Sequence, residues 1–270
     1  MPELPDVEGF RRVLAQHAVD RPITRVEVLD PQVLRDTSPR QLTTALPGTD
    51  LAKPRRYGKW LMAPVHQPGH RHGKDDPTLV FHFGMTGSLI WNDAAGEPLH
   101  PHDRLVFAME DGELRYRDMR KLQGVRLTGN DHDVEVLLSD LGPDAKDLSL
   151  AEFRDRLQGV RRQLKAALTD QSVLAGLGNL LTDEILWRAG LHPRHLTTDL
   201  SSSDVARLHE ELHDVLRVSI RRGCVPPDDS WLTGWRDQPE APCPRCGTPL
   251  RRMHLGGRAT VWCPHCQPAP

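Results

Sequence analysis

Two Cys-x-x-Cys pairs, Cys243/Cys246 and Cys263/Cys266, stand sixteen residues apart near the end of the chain. Each pair clips one edge of a tetrahedron, and the stretch between them is long enough for a β-hairpin. That is the spacing of a structural four-cysteine zinc site, with two disulfides or an iron–sulfur site as the other chemistries of such a cluster. A four-thiolate site has no open coordination position, so one zinc ion here folds the tail and does not catalyse. The fifth cysteine, Cys224, reads as a lone buried apolar residue. His66, His70, His72, His100 and His102 lie in polar loops without a thiolate or carboxylate arrangement around them.

Two hundred and seventy residues with 38% hydrophobic and 27% charged side chains are enough to bury a core, which excludes wholesale disorder. No stretch approaches the ~20 apolar residues of a membrane span. The start, Met1 to Asp6, has neither a basic region nor an apolar run, so a signal peptide is not expected and a cytoplasmic protein is. The formal charge of −2 hides an uneven distribution. Residues 242–270 carry four arginines and no acid, residues 53–62 carry Lys53, Arg55, Arg56 and Lys59, and residues 115–126 carry five cations against Asp118. Such patches either track a phosphate backbone or form solvated faces.

Val7, Phe10, Leu14 and Ala18 recur at helical spacing, predicting a helix over residues 5–18. Seven short β-rich runs between residues 23 and 127 are separated by Pro, Gly, Asn and Asp, a sandwich or barrel pattern with long hairpin loops at 66–78 and 92–103. Beyond Asp131 the pattern is helical: residues 150–168, residues 180–189 after the Gly176-Leu177-Gly178-Asn179 turn, and a helix capped by Ser203 that stops at Gly223. Pro226–Asp229 reads as a linker. The pattern is α+β: a β-rich sandwich or barrel with a leading helix (1–130), a helical domain (131–225) and a zinc finger (231–270).

Pro2 becomes the amino terminus if Met1 is removed. An α-amino group with a pKa near ~8 is partly neutral at cellular pH, and a secondary amine that attacks an aldehyde-like carbon forms an iminium, an electron sink. Glu3 beside it is the acid that sugar-ring opening requires. Acids in a first helical turn also simply complement the helix dipole.

Taken together, these segments resemble the formamidopyrimidine-DNA glycosylase / endonuclease VIII family. The resemblance runs in order through Pro2-Glu3-Leu4-Pro5-Asp6-Val7-Glu8, Arg56-Tyr57-Gly58-Lys59, His82-Phe83-Gly84-Met85-Thr86-Gly87, Asp170-Gln171-Ser172 through Asn179 with Asp183-Glu184, and Arg258-Ala259-Thr260 before Trp262-Cys263. It implies two domains, an N-terminal two-sheet β-sandwich with the leading helix and a C-terminal helix–two-turn–helix domain ending in a four-cysteine zinc finger, and a bifunctional glycosylase with AP lyase activity. Such an enzyme removes oxidised or ring-opened bases from double-stranded damaged DNA through a Schiff base on the Pro2 amine, followed by β,δ-elimination. Pro2, Glu3 and Lys59 are then catalytic. Lys59, Asn179 and Arg258 hold the phosphates. Met85 fills the space of the flipped nucleotide, Arg120 pairs with the orphaned base and Leu122 wedges the stack. The chain is expected to be a monomer, bacterial in type and nucleoid-associated when on DNA. A non-catalytic damaged-DNA-binding protein on the same scaffold is the second reading, and a zinc-ribbon protein of transcription the third. Asp6 stands where the family has Glu, Met119 and Leu122 where the guanine-repair branch has Pro and Phe, and Leu181 where an aromatic is common. The stretch from Arg222 to Trp231 is short and does not match the loop that covers an everted 8-oxoguanine, so the preferred lesion stays open.

Overall fold

The computed structural model describes residues 1–71, 73–93 and 96–270, so His72 of the polar loop lies outside the described residues. The chain divides into two units: Met1–Pro2 with Asp6–Asp140, and Glu3–Pro5 with Leu141–Pro270. Helix α1 (Leu4–His17) leads, close to the predicted 5–18, with Pro5 where a missing N–H costs nothing.

In the first unit the elements that follow are β1 (Arg25–Val28), α2 (Pro39–Ala45), β2 (Asp50–Leu51), β3 (Arg55–Tyr57), β4 (Trp60–His66), β5 (Thr78–His82), β6 (Ser88–Asn92), β7 (Asp103–Met109), β8 (Gly112–Arg117), β9 (Val125–Thr128) and α3 (Asp131–Leu138). One sheet runs β1-β7-β8-β6. The other runs β2-β4-β5-β9, with β3 paired to β4. Alternating side chains of both sheets meet in one core, with Leu105, Phe107, Leu114 and Tyr116 from the first sheet and Leu61, Ala63, Leu79 and Phe81 from the second; Val7 and Leu14 of α1 join them. The two-sheet sandwich is therefore as expected. The loop over 66–78 does close the β4–β5 hairpin, but residues 92–103 close none, because β8 lies between β6 and β7. Helices α2 and α3 were not foreseen. Both are short, and their signals are caps: Ser38 with Gln41 forms a capping box, and Asn130 accepts from Asp133 N–H. Helix α3 covers Met62 and Val80 with Val134.

The second unit holds α4 (Leu150–Gln158), α5 (Leu164–Thr169), α6 (Asn179–Arg188), α7 (Ser202–Arg222), α8 (Leu232–Trp235), β10 (Arg251–Leu255) and β11 (Arg258–Trp262). The single helix predicted over 150–168 is broken at Gly159, the C-cap of α4. Helix α7 is capped by Ser201, not Ser203, since Ser201 forms the capping box with Asp204; it stops at Gly223 as predicted. Pro226–Asp229 is not a loose linker. Thr233 Oγ1 donates to the Pro226 carbonyl, Trp231 N–H to the Asp228 carbonyl and Arg222 to the Asp228 carboxylate. Cys224 is half-buried, not buried. Leu4 packs with Leu164, Leu174, Leu177 and Leu181 in the core of this unit. Among the described residues no helix is long and apolar enough to cross a membrane.

Candidate functional site

Glu3 is fully buried. Its carboxylate accepts three backbone N–H bonds at the start of α6: Gly178 at 2.9 Å, Leu180 at 2.8 Å and Leu181 at 3.1 Å. The first turn of a helix has unpaired N–H groups and a positive dipole end, and the ionised carboxylate is the form both stabilise. The Leu4 N–H bonds the Gly176 carbonyl, which continues the attachment. The glycines make the approach possible. A Cβ on Gly178 would lie 2.3 Å from Glu3 Cδ, and one on Gly176 would lie 2.6 Å from Leu4 Cδ1. Gln171 braces the same turn, donating to the Thr169 and Leu177 carbonyls and accepting from Gly176 N–H. Pro2, the residue before Glu3, is half-buried. Asn179 opens α6, and its side-chain oxygen is buried with no hydrogen-bond partner.

Lys59 sits at the two-residue turn between β3 and β4, where Tyr57 pairs with Trp60 and Gly58 takes φ +55°. Across the β4–β5 ladder, His82 packs edge-on to Trp60 at 4.5 Å. Burial first, then Lys59 and Arg126, push His82 down to about 4, so it is neutral at cellular pH and accepts from Gly84 N–H.

Met85, Arg120 and Leu122 are all exposed, and the first two form a single assembly. The Arg120 guanidinium reaches Met85 Sδ at 2.9 Å. Beneath them the buried Asp118 accepts from Thr86 Oγ1 at 2.5 Å and from Arg120 N–H at 3.1 Å, and the Arg120 N–H also reaches Thr86 Oγ1 at 3.0 Å. Lys121 takes φ +53° and is held by Asp30 at 2.9 Å. Sequence reasoning counted Asp118 only as the one acid in a basic stretch. Its role as a clamp is set by a contact to Thr86, 32 residues away.

Ion pairs take up part of two of the basic patches. Arg115 is buried against Glu113 and Asp103, and Arg117 bonds Asp103. Arg56 pairs with Glu8 and Arg55 with Asp131. Arg56 and Arg115 are buried in these pairs, so residues 53–62 and 115–126 present only part of their cations, either to phosphates or as solvated faces.

The four cysteine sulfurs lie within 4.8 Å of one another. The Cys243–Cys266 distance is 3.9 Å, and Cys246–Cys263 and Cys246–Cys266 are 3.5 Å each. A tetrahedral zinc with Zn–S near 2.3 Å gives edges of about 3.8 Å, so the set fits one ion. Trp187 Nε1–H donates to Cys243 Sγ and Cys266 N–H to Cys263 Sγ, the outer bonds a thiolate site needs. The hairpin β10–β11 turns through Gly256-Gly257 and presents exposed Arg258 as the first residue of β11. The buried Asp183 of α6 fixes this hairpin. It accepts from Lys165 at 2.5 Å, from Val261 N–H at 3.1 Å and from Arg236. Lys165 and Arg236 both also donate to the Ala259 carbonyl, next to Arg258. Burial lowers Lys165, and Asp183 opposes that shift. Asp183 was visible only as part of a motif; Lys165 and Arg236 were missed, because nothing local marks a buried cation.

A helix-led β-sandwich, a helical unit with a glycine turn at α6 and a four-cysteine hairpin define a zinc-finger protein of the DNA-repair glycosylase type. Residues 1–125 match the formamidopyrimidine-DNA glycosylase N-terminal domain, residues 141–226 its H2TH domain, and residues 241–269 the zinc finger found in FPG and IleRS. The chain is 36% identical to the formamidopyrimidine-DNA glycosylase of a Synechococcus species, covering 99% of both proteins, and 33% identical to that of Bacillus subtilis, again over 99% of each. A crystal structure of the Lactococcus lactis enzyme, non-covalently bound to DNA containing an AP site, matches with a TM-score of 0.85 at 29% identity, covering 99% of this chain and 100% of that one. The chain belongs to the formamidopyrimidine-DNA glycosylase family, and its four cysteines form a structural site for one zinc ion.

Proposed function

We propose that this chain is a bifunctional DNA glycosylase and AP lyase of base-excision repair, acting as a cytoplasmic monomer on oxidised or ring-opened bases in double-stranded DNA. The observation that carries the mechanism is the Glu3 carboxylate, held by three N–H donors directly after Pro2.

The target nucleotide leaves the stack, since its C1′ is out of reach inside it. With Met1 removed, the Pro2 nitrogen bonds C1′ and the base departs with the electrons of the glycosidic bond. The proton shed by the Pro2 nitrogen passes to Glu3 and from there to the ring oxygen as the C1′–O bond opens. The resulting iminium acidifies the C2′ proton. Its loss to water expels the 3′ phosphate, a second elimination that gives up another sugar proton to water expels the 5′ phosphate, and hydrolysis of the iminium by water frees the Pro2 amine. Lys59 and Arg258 stabilise charge on the phosphates, and Asn179 adds a polar contact at the positive end of α6. Met85 fills the vacated space, Arg120 faces the orphaned base, and Leu122 wedges the neighbouring step. The Asp118–Thr86 clamp supports this reading, because it gives Met85 and Arg120 one rigid base.

Borohydride reduction in the presence of duplexes, each carrying one lesion or abasic site, tests the proposal. A covalent adduct is expected with the processed chain, with less from a Pro2→Gly variant and none from a chain that keeps Met1. Normal trapping by the unprocessed chain would exclude the amine mechanism.

A further inference from the structure

Helix α7 carries His209 and His213 one turn apart, on the face that meets the segment ahead of α4. Their Nε2 atoms are 3.0 Å apart. Each also lies on the Leu148 carbonyl oxygen, at 2.9 Å from His209 and 3.0 Å from His213. Three donor atoms therefore form a nearly equilateral triangle. Hydrogen bonding satisfies it only in part. If both Nε2 atoms carry protons, both can donate to the carbonyl's two lone pairs, but the two like N–H dipoles then lie side by side with their nitrogens 3.0 Å apart. If one does not, its lone pair faces the oxygen lone pairs. Every neutral arrangement of the two rings leaves one edge repulsive.

We propose that Nε2 of His209, Nε2 of His213 and the Leu148 carbonyl oxygen bind a divalent transition-metal ion of the borderline class, with Ni2+ as its representative. An ion about 2.1 Å from all three atoms sits about 1 Å above their plane, and its angles to them are about 90°. That is one face of an octahedron, the remaining positions going to water, and imidazole nitrogen with oxygen is the donor set such ions take. The site is built in advance. Helix α7 is 21 residues long and capped at both ends, Leu148 is buried, and the Phe153 ring packs against His209 with centroids 5.5 Å apart. Both histidines are half-buried, so an ion has access from solvent. The donors are two imidazoles and a carbonyl, with no thiolate among them, so this site is separate from the cysteine cluster and does not depend on the reading of Pro2 and Glu3. An ion here would join α7 to the turn that starts α4.

The test is calorimetric titration of Ni2+ into the tag-free, zinc-loaded full chain, with zinc counted by elemental analysis. We expect one Ni2+ per chain while one zinc is retained, and a melting temperature that rises with Ni2+. His213→Gln, whose amide can still donate to the Leu148 carbonyl, should weaken binding by tenfold or more. His66→Gln with His70→Gln should change nothing. Cu2+ bound to the unmutated chain should show coupling to two imidazole nitrogens in its electron paramagnetic resonance spectrum, a readout that needs no variant. Equal Ni2+ affinity in the His213→Gln chain, Cu2+ without imidazole coupling, or no Ni2+ bound at millimolar concentration would each overturn the proposal.

Discussion

A carboxylate that accepts three backbone N–H bonds is a demanding residue to hold, and its nearest neighbours have no freedom. Gly178 is the N-cap of α6 with φ −128°, an ordinary extended conformation, so backbone strain does not explain a glycine there. The space does: a methyl group would occupy the position of the Glu3 carboxyl. Gly178→Ala should therefore displace Glu3 from its donors, leave two buried N–H groups and one partly buried one without their acceptor, and cost on the order of 3 kcal/mol in stability. Base removal should fall by two orders of magnitude or more. Denaturant melts beside single-turnover assays check both, and a variant with native stability and rate would show that the contact is dispensable. His82 makes a different kind of demand. Its folded value of about 4 lies below the ordinary 6.5, so between those pH values the unfolded chain binds a proton that the folded chain does not. Stability at His82 is thus complete above pH 6.5 and is lost as pH falls toward 4, by up to about 3 kcal/mol. The difference between the melting curves of the parent and a His82→Asn variant across that range isolates the effect; parallel curves would exclude it.

Among the elements, long and periodic ones were legible. Helix α1 and the β-rich runs follow from hydrophobic spacing, since each buries one face in the sandwich core. The four-cysteine hairpin follows from spacing alone. The short α2 and α3 were not legible from periodicity, because one or two turns show too little of it; their caps were the only signal. The break between α4 and α5 was hidden by a run of helix-forming residues on both sides of Gly159. Least legible were contacts of long separation. Glu3 meets α6 175 or more residues away, and Lys165 meets Ala259 across 94. Pattern names such residues but not their partners, and so Arg115 looked like part of a binding surface when it is a buried ion pair. The Asp183 hub belongs to this scale, since it ties α5, α6 and the residues after α8 to the finger. Asp183→Asn removes the charge that Lys165 and Arg236 share in a buried place. Breaking such a pair typically costs about 3–5 kcal/mol. The finger hairpin should then lose its fixed position while the zinc remains bound. Hydrogen exchange at Ala259 to Trp262 should accelerate with one zinc per chain still present. Unchanged exchange would mean that the cysteines alone hold the hairpin.

For the molecule as a whole, a formal charge of −2 gives little long-range attraction to a polyanion. Binding must come from a few cations in contact with phosphates. Ion pairing shortens the roster further, because Arg56, Arg115 and Arg117 are committed to acids inside the first unit. Lys59 and Arg258 head those assigned to phosphates. Each phosphate neutralised releases counterions and adds about −0.9 to the slope of log K against log salt. Two to four contacts predict a slope of about −2 to −4, far shallower than for a strongly basic DNA-binding protein. Arg258→Ala and Lys59→Ala should each flatten that slope by about 0.9, measured with a non-cleavable abasic analogue in the duplex so that chemistry does not intervene. Arg21→Ala serves as the control, for Arg21 is already paired with Asp111 at the surface and should leave the slope unchanged. Zinc chelation should act like Arg258→Ala, because unfolding the hairpin withdraws the same cation. If chelation lowered affinity at all salt concentrations without altering the slope, the finger would contribute shape and not charge. Arg258 would then have to be removed from the phosphate contacts.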